Sequence, residues 1–413
     1  ISKNIQKKSL EVDFSSNSIS MNRILSIDVF RGVTMLLMLW VNDFWTLNSI
    51  PKWLKHAAAG EDYLGFSDLI FPWFLFAIGL SIPFSFESRK VKGQSSFNIA
   101  KHILLRTLAL LAMGLFHMNM EMYNHQTSYL IKPVFVIIST LAFFMIWNDY
   151  SKFLIKQNIF FKVAPYLGVI VLGLMLFIYK GQDYDGNAIG FSIHWWGILG
   201  LIGWVYLISA FTYLIFSGPI VAISISFFIC LMLNIMSSSG ISYAIFFWQS
   251  PDWIPGSGGL QALSFGGIIT SLCLIRYKDD VKKLYGVLSI AGLSSLFLGL
   301  FLRKYFIISK IAGTPSWVLI SMSTAIFLFI FLHWLVDVKK QLSWYAPISI
   351  AGTATLTCYL IPYFYYSVRT LSGFQLPMFL TTGIIGLFKS IVYSFLIIIV
   401  TRIANESLIR LKI

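Results

Sequence analysis

Runs of about 20 apolar residues, repeated along the whole chain, constrain its fold more than any other feature. We read twelve of them: 24–47, 67–86, 103–119, 130–147, 163–179, 195–216, 219–236, 259–275, 284–302, 314–336, 345–368 and 379–401. Each is close to the length that carries a helix across a hydrocarbon layer of about 30 Å. Inside that layer every backbone N–H and C=O needs a partner within the protein, which runs of this length achieve as helices. The expected fold is therefore all-α, a polytopic integral membrane bundle of about 10–12 helices with no soluble domain. Residues 1–22 are expected to form a polar cytoplasmic tail, and residues 23–413 a single multispan domain. The first apolar run lacks a small-residue cleavage site and is read as a retained helix. The Ser217-Gly218-Pro219 turn is the finest division between two spans.

Charge supports this reading. Charged residues make up 12% of the 413 residues, against 57% apolar, where a soluble domain carries about 25% charge. So few charges cannot clothe a soluble protein of this size. The net charge of +14 is distributed by side. Of 31 Lys and Arg, 20 fall in loops on the side of the N-terminus and 8 on the other, while Arg31, Arg106 and Lys389 lie inside spans. Basic loops mark the cytoplasmic side, so both termini are expected there, and the positive charge calls for no nucleic acid. Cys230, Cys273 and Cys358 all sit within apolar runs and form no CxxC or disulfide framework.

Ionisable groups inside a bilayer are costly and mark function by default. The first span reads Arg23-Ile-Leu-Ser-Ile-Asp28-Val-Phe-Arg31-Gly32 and ends at Asn42-Asp43. At 100° per residue, Asp28, Arg31 and Asn42 fall within about 60° of one another, a polar stripe from one membrane face toward the other. The plainer alternative is a structural Asp28–Arg31 ion pair at i,i+3. The next loop, on the outer side by the charge count, holds Lys52-Trp53-Leu54-Lys55-His56 and leads into Ser67-Asp68-Leu-Ile-Phe-Pro72. Ser67 is the expected N-cap of the second span and Asp68 belongs to its first turn. Pro72 is expected to kink that helix and free a carbonyl. Beside Asn42 and Asp68, His56 becomes a candidate base whose tautomer a carboxylate fixes.

Together these stretches resemble the heparan-α-glucosaminide N-acetyltransferase family, multispan enzymes with many bacterial members. The resemblance rests on R-x-x-S-x-D-x-F-R-G from Arg23, the Val41-Asn42 and Lys55-His56 pairs, and Asp68-Leu-Ile-Phe-Pro-Trp-Phe-Leu-Phe with Gly79. Ile308-Ser309-Lys310 with Pro315-Ser316, and Ala351-Gly352 to Tyr359, are similar to later family elements. The chain departs from the pattern after His56. Ala-Ala-Ala-Gly60-Glu61-Asp62-Tyr63 stands where the family has H-x-x-W-x-G, and Ser309 replaces the usual Asn.

The resemblance implies transfer of acetyl from cytosolic acetyl-CoA, a co-substrate, to an amino sugar of an extracytoplasmic glycan. His56 would be the catalytic histidine, as base or acetyl carrier, and Asn42 its partner, donating to the oxyanion. Asp68 would orient the imidazole. Arg31, grouped with Asp28, and Arg106 would hold the phosphates of CoA at the cytoplasmic mouth. Lys310 is a second outer contact by resemblance alone. Trp53 belongs to a set of outer aromatics (with Tyr63, Tyr123, Tyr129, Tyr184, Trp195, Trp196, Trp248 and Trp253) that either stack on sugars or form an interfacial belt. No metal is expected, since Asp183-Tyr-Asp185-Gly186-Asn187 lacks a full calcium loop. The implied location is the bacterial inner membrane, with a homodimer as an open arrangement. A proton-coupled transporter of a sugar-like solute, using Asp28, Arg31, Asp68 and Lys389, is the competing reading.

Overall fold

The computed structural model describes residues 24–152, 159–183, 185–245, 254–407 and 409–413. The expected tail and Arg23 lie outside these residues, as do Tyr184, Trp248 and Trp253. The helices are α1 (Leu25–Asn42), α2 (Ser67–Val91), α3 (Ser96–Glu121), α4 (Lys132–Trp147), α5 (Ile159–Ile178), α6 (Ile198–Phe216) and α7 (Ile220–Ser238). They continue as α8 (Ile241–Ile245), α9 (Gly259–Arg276), α10 (Val281–Leu302), α11 (Pro315–His333), α12 (Ser349–Thr353), α13 (Thr355–Ser372) and α14 (Gly383–Glu406). A two-stranded ribbon, β1 (Gly181–Gln182) with β2 (Ala188–Ile189), is the sheet among the described residues.

Ten helices of the described residues are long and apolar enough to cross a membrane. The protein is thus a multi-pass all-α membrane bundle, with two differences from the expected spans. The fourth, α4, has 16 residues, about 24 Å at 1.5 Å per residue. The eleventh is divided. A 3-10 stretch (Ser343–Ile348) and α12 precede a break at Ala354, and α13 begins only at Thr355. Gly352, Thr353 and Thr355 are weak helix formers. The Thr355 hydroxyl also donates to the carbonyl of Ala351 at 2.9 Å, a local bond that competes with regular helix.

Helices α2 and α9 form the centre. Their meeting is closer than side chains allow. A Cβ on Gly79 would lie 1.9 Å from the Ser264 carbonyl oxygen, and one on Gly267 would lie 2.1 Å from that of Phe76. Small residues let membrane helices approach in this way, and Ser271 Oγ adds a bond to the Leu80 carbonyl at 2.6 Å. Some 78% of the α9 span is buried, against 22% for α10, so α10 is peripheral and presents its apolar side chains to lipid.

Polar contacts join segments that are remote along the chain. Asn48 N–H donates to the Thr381 carbonyl, Asn124 N–H to that of Lys180, Ile308 N–H to the Asp62 carboxylate and Asn234 Nδ2 to the Gly313 carbonyl. Ser26 N–H donates to the Asp337 carboxylate, Asp149 N–H to the Arg410 carbonyl and the Arg402 guanidinium to the Ala346 carbonyl.

Candidate active site

The loop between α1 and α2 is folded onto the start of α2. Pro51 opens a 3-10 turn (Lys52–Leu54), and Phe66 N–H donates to the Trp53 carbonyl at 2.7 Å. Gly65 crosses so near Lys55 that a Cβ would stand 1.7 Å from its carbonyl oxygen. Ser67 does not cap α2. It is the first helical residue, and its hydroxyl donates to the Leu54 carbonyl at 2.5 Å. The effect is to pin the segment that carries His56 over the N-terminus of α2.

Asp68, 1% exposed, receives that segment. Its Oδ1 lies 2.7 Å from His56 Nδ1, and its Oδ2 accepts from the backbone N–H of Ala57 at 3.0 Å and of Gly65 at 3.1 Å. The helix N-terminus favours the ionised carboxylate. An acceptor-only partner places the imidazole proton on Nδ1, which leaves the lone pair on Nε2. The His56 side chain is 46% exposed, so the ring is accessible to a substrate.

Lys310 arrives from a loop hundreds of residues away. Its Nζ lies 3.3 Å from His56 Nδ1, and because Nδ1 already donates to Asp68 the ammonium stands beside the imidazole as a charge. Burial pulls the protonation of Lys310 below the usual lysine range, and the Asp68 carboxylate opposes that pull. The 303–316 segment is well tied. Ser316 Oγ bonds the carbonyls of Phe306 and Ile307, both at 2.8 Å, and Ser309 N–H donates to Thr314 Oγ1 at 3.1 Å. Ser309 Oγ donates to the Ala59 carbonyl at 2.9 Å. Asp62 accepts from Ile308 N–H at 2.8 Å and from Arg303 Nε at 2.9 Å. The Ile308 bond holds the Asp62 carboxyl below its usual range against the opposing cost of burial, with Arg303 adding to the lowering. Glu61 forms an ion pair with Lys52 on the same loop. Sequence reasoning did not single out Asp62, because nothing local distinguishes it from an ordinary surface carboxylate.

Other expected residues fall elsewhere. Asn42 ends α1, is exposed, and makes no side-chain hydrogen bond to His56 or Asp68. Its neighbour Asp43 is instead the buried group. The Asp43 carboxylate, 1% exposed, accepts from Lys389 Nζ at 2.6 Å, Ser390 Oγ at 2.5 Å and Tyr366 OH at 2.7 Å, joining α1 to α13 and α14. Trp53 is 59% exposed on the loop that carries His56.

At the opposite face, Asp28 and Arg31 form the i,i+3 ion pair directly, and Tyr345 OH donates to the Asp28 carbonyl at 2.9 Å. Arg106, on α3, stacks its guanidinium over Tyr206 at 4.7 Å. Arg31 and Arg106 each keep a buried Nε without a partner among the described residues, which suits both to an anionic ligand. No ion pair or hydrogen bond joins Arg31 or Arg106 to the His56 group. Asp28 is buried, Arg31 half-buried and Asn42 exposed, so the expected stripe is not uniformly lined. His117 is buried against Tyr363, with rings 4.2 Å apart, and His333 bonds Tyr285 OH at 2.9 Å. Asp183 closes a surface turn by accepting from Asn187 N–H at 2.7 Å.

Residues 23–148 match the family profile described as heparan-alpha-glucosaminide N-acetyltransferase, catalytic. The human heparan-alpha-glucosaminide N-acetyltransferase is 35% identical over 101 residues, and the mouse protein of that name 33% identical over 104 residues. Each alignment covers 24% of this chain and 14% of the relative, so the chain matches only a small part of these longer proteins.

Proposed function

The chain belongs, through residues 23–148, to the heparan-alpha-glucosaminide N-acetyltransferase catalytic family, and from that premise we propose that it is a membrane acetyltransferase acting on an extracytoplasmic amino sugar. The observation that carries this reading is the His56–Asp68 pair on an exposed loop, with Nδ1 engaged and the ring accessible. Acetyl transfer from a thioester to an amine needs a deprotonated nucleophile and a stabilised oxyanion. Nε2 accepts the proton of the amine, or carries the acetyl in passing, while Asp68 holds the ring in one tautomer. The amide C–N bond forms, the thioester C–S bond breaks, and the thiol leaves with a proton. Asn42, at the outer end of α1, is the proposed oxyanion donor. Trp53 offers an exposed ring face to a sugar, and Lys310 completes the polar surround of His56.

Acetyl-CoA supplies the activated acyl group. Arg31, paired with Asp28, and Arg106 are the residues whose unpartnered guanidinium nitrogens fit its phosphates. The proposed location is a bacterial inner membrane with both termini cytoplasmic. The 20-to-8 bias in basic residues supports that orientation. The buried Asp43–Lys389 pair favours the second reading, a proton-coupled transporter of a sugar-like solute.

One experiment separates the two. Inside-out vesicles are supplied with radiolabelled acetyl-CoA outside and an amino sugar in the lumen. Labelled lumenal product in the wild type, absent with His56→Ala, is the expected result. Movement of the sugar without acetylation overturns it in favour of transport.

A further inference from the structure

We propose that Asp62 is a positioning residue for this site: its carboxylate clips the Ile308–Lys310 segment onto the histidine loop and so sets where the Lys310 ammonium stands relative to His56. The clip has two parts. Asp62 takes the backbone N–H of Ile308 at 2.8 Å and the Arg303 guanidinium at 2.9 Å. Between Asp62 and His56, the carbonyl of Ala59 takes the hydroxyl of Ser309 at 2.9 Å. The two residues immediately before Lys310 are therefore each bonded to the four-residue stretch from Ala59 to Asp62.

Lys310 has little else to direct it. Its side chain is long and flexible, and its ammonium meets His56 at 3.3 Å without a carboxylate of its own in contact. A lysine in that position is held by its backbone, and its backbone is held by Asp62 and Ser309. The neighbouring Glu61 provides the contrast. It shares the loop and the charge, yet it pairs with Lys52 and accepts from Ala58 N–H, with no bond to the 303–316 segment.

The inference rests on the acetyl-transfer reading for its kinetic part, and a second readout frees it from that reading. Asp62→Ala removes the bonds to Ile308 and Arg303 and leaves that of Ser309 to Ala59, Asp62→Asn keeps an oxygen for the Ile308 amide, and Glu61→Gln is the control. In the vesicle assay, Asp62→Ala is expected to lower kcat by about 10- to 100-fold, as displacements of about 1 Å do, with KM for acetyl-CoA unchanged. Asp62→Asn is expected to recover part of this, Glu61→Gln to match wild type, and Asp62→Ala with Lys310→Gln to be no slower than Lys310→Gln. A carboxylate that only stabilised the loop gives losses that add to those of Lys310.

The second readout is carbethoxylation of His56 by diethyl pyrocarbonate, followed by mass spectrometry at one pH. Detaching the segment uncovers the imidazole, so Asp62→Ala should raise the rate several-fold, while Lys310→Gln, which keeps every bond of the clip, and Glu61→Gln do not. A wild-type labelling rate in Asp62→Ala, or additive kinetic losses, overturns the proposal. If the wild type transfers no acetyl, the functional reading fails and labelling alone decides the clip.

Discussion

The indole N–H of Trp317 donates to the carbonyl oxygen of Asp68 at 3.1 Å. That oxygen lies four residues before Pro72 and is the one proline leaves without its helical donor. A helix from the other end of the chain thus satisfies a backbone group that lipid could not. Trp317→Phe should lower stability in detergent by about 1–3 kcal/mol, the cost of an unpaired buried acceptor. Adding Pro72→Ala returns an N–H to the helix and should recover part of the loss. Thermal unfolding of the two variants is the measurement, and no recovery in the double variant counts against this pairing.

Asp68→Asn keeps the size of the side chain but turns an NH₂ toward groups that donate. The amides of Ala57 and Gly65 and the imidazole N–H then compete for one oxygen. Acetyl transfer should fall by roughly 10²- to 10⁴-fold, with KM for acetyl-CoA unaltered. A KM effect alone would show that Asp68 serves binding rather than the orientation of His56.

Lys310 should be unusually reactive toward amine reagents. Burial lowers its protonation and Asp68 partly restores it. Labelling should begin at lower pH in the folded protein than at Lys310 of the same chain denatured, and at lower pH again in Asp68→Asn. In this window the unfolded chain binds more protons than the folded one, so this group makes stability rise with pH up to the ordinary lysine range. Quantitative mass spectrometry after pulse labelling checks the order of the three onsets.

Lys389→Met leaves the Asp43 carboxylate buried without its cation and should cost about 3–5 kcal/mol. Asp43→Asn in the same chain removes the uncompensated charge and should return much of that stability. Paired melting curves decide. A double variant as unstable as Lys389→Met means that packing at Lys389, rather than its charge, holds α14 to α1.

The helices were legible because a membrane imposes length and apolarity together, and both are local. The break at Ala354 was not, since 345–368 reads as one uncharged, largely apolar run and only the weak propensity of Gly352, Thr353 and Thr355 marks it. His56, Asp68 and Lys310 were picked out by motif, and the structure brings them together. Asp62 and Arg303 escaped notice because their meaning lies in a contact across 241 residues. Asp43 and Lys389 were each visible as polar residues at or inside a span. Their pairing was not, because it joins residues 346 apart.

The lysine that stands beside His56 lies 254 residues further along the chain. A ribosome adds about 5–20 residues per second, so a growing chain would expose its histidine loop for roughly 13–50 s before Lys310 is made. Throughout that interval the loop lacks Arg303, Ile308 and the lysine. The assembled site is a product of late synthesis, and a chain halted after α9 has the histidine and its carboxylate without the segment that closes over them.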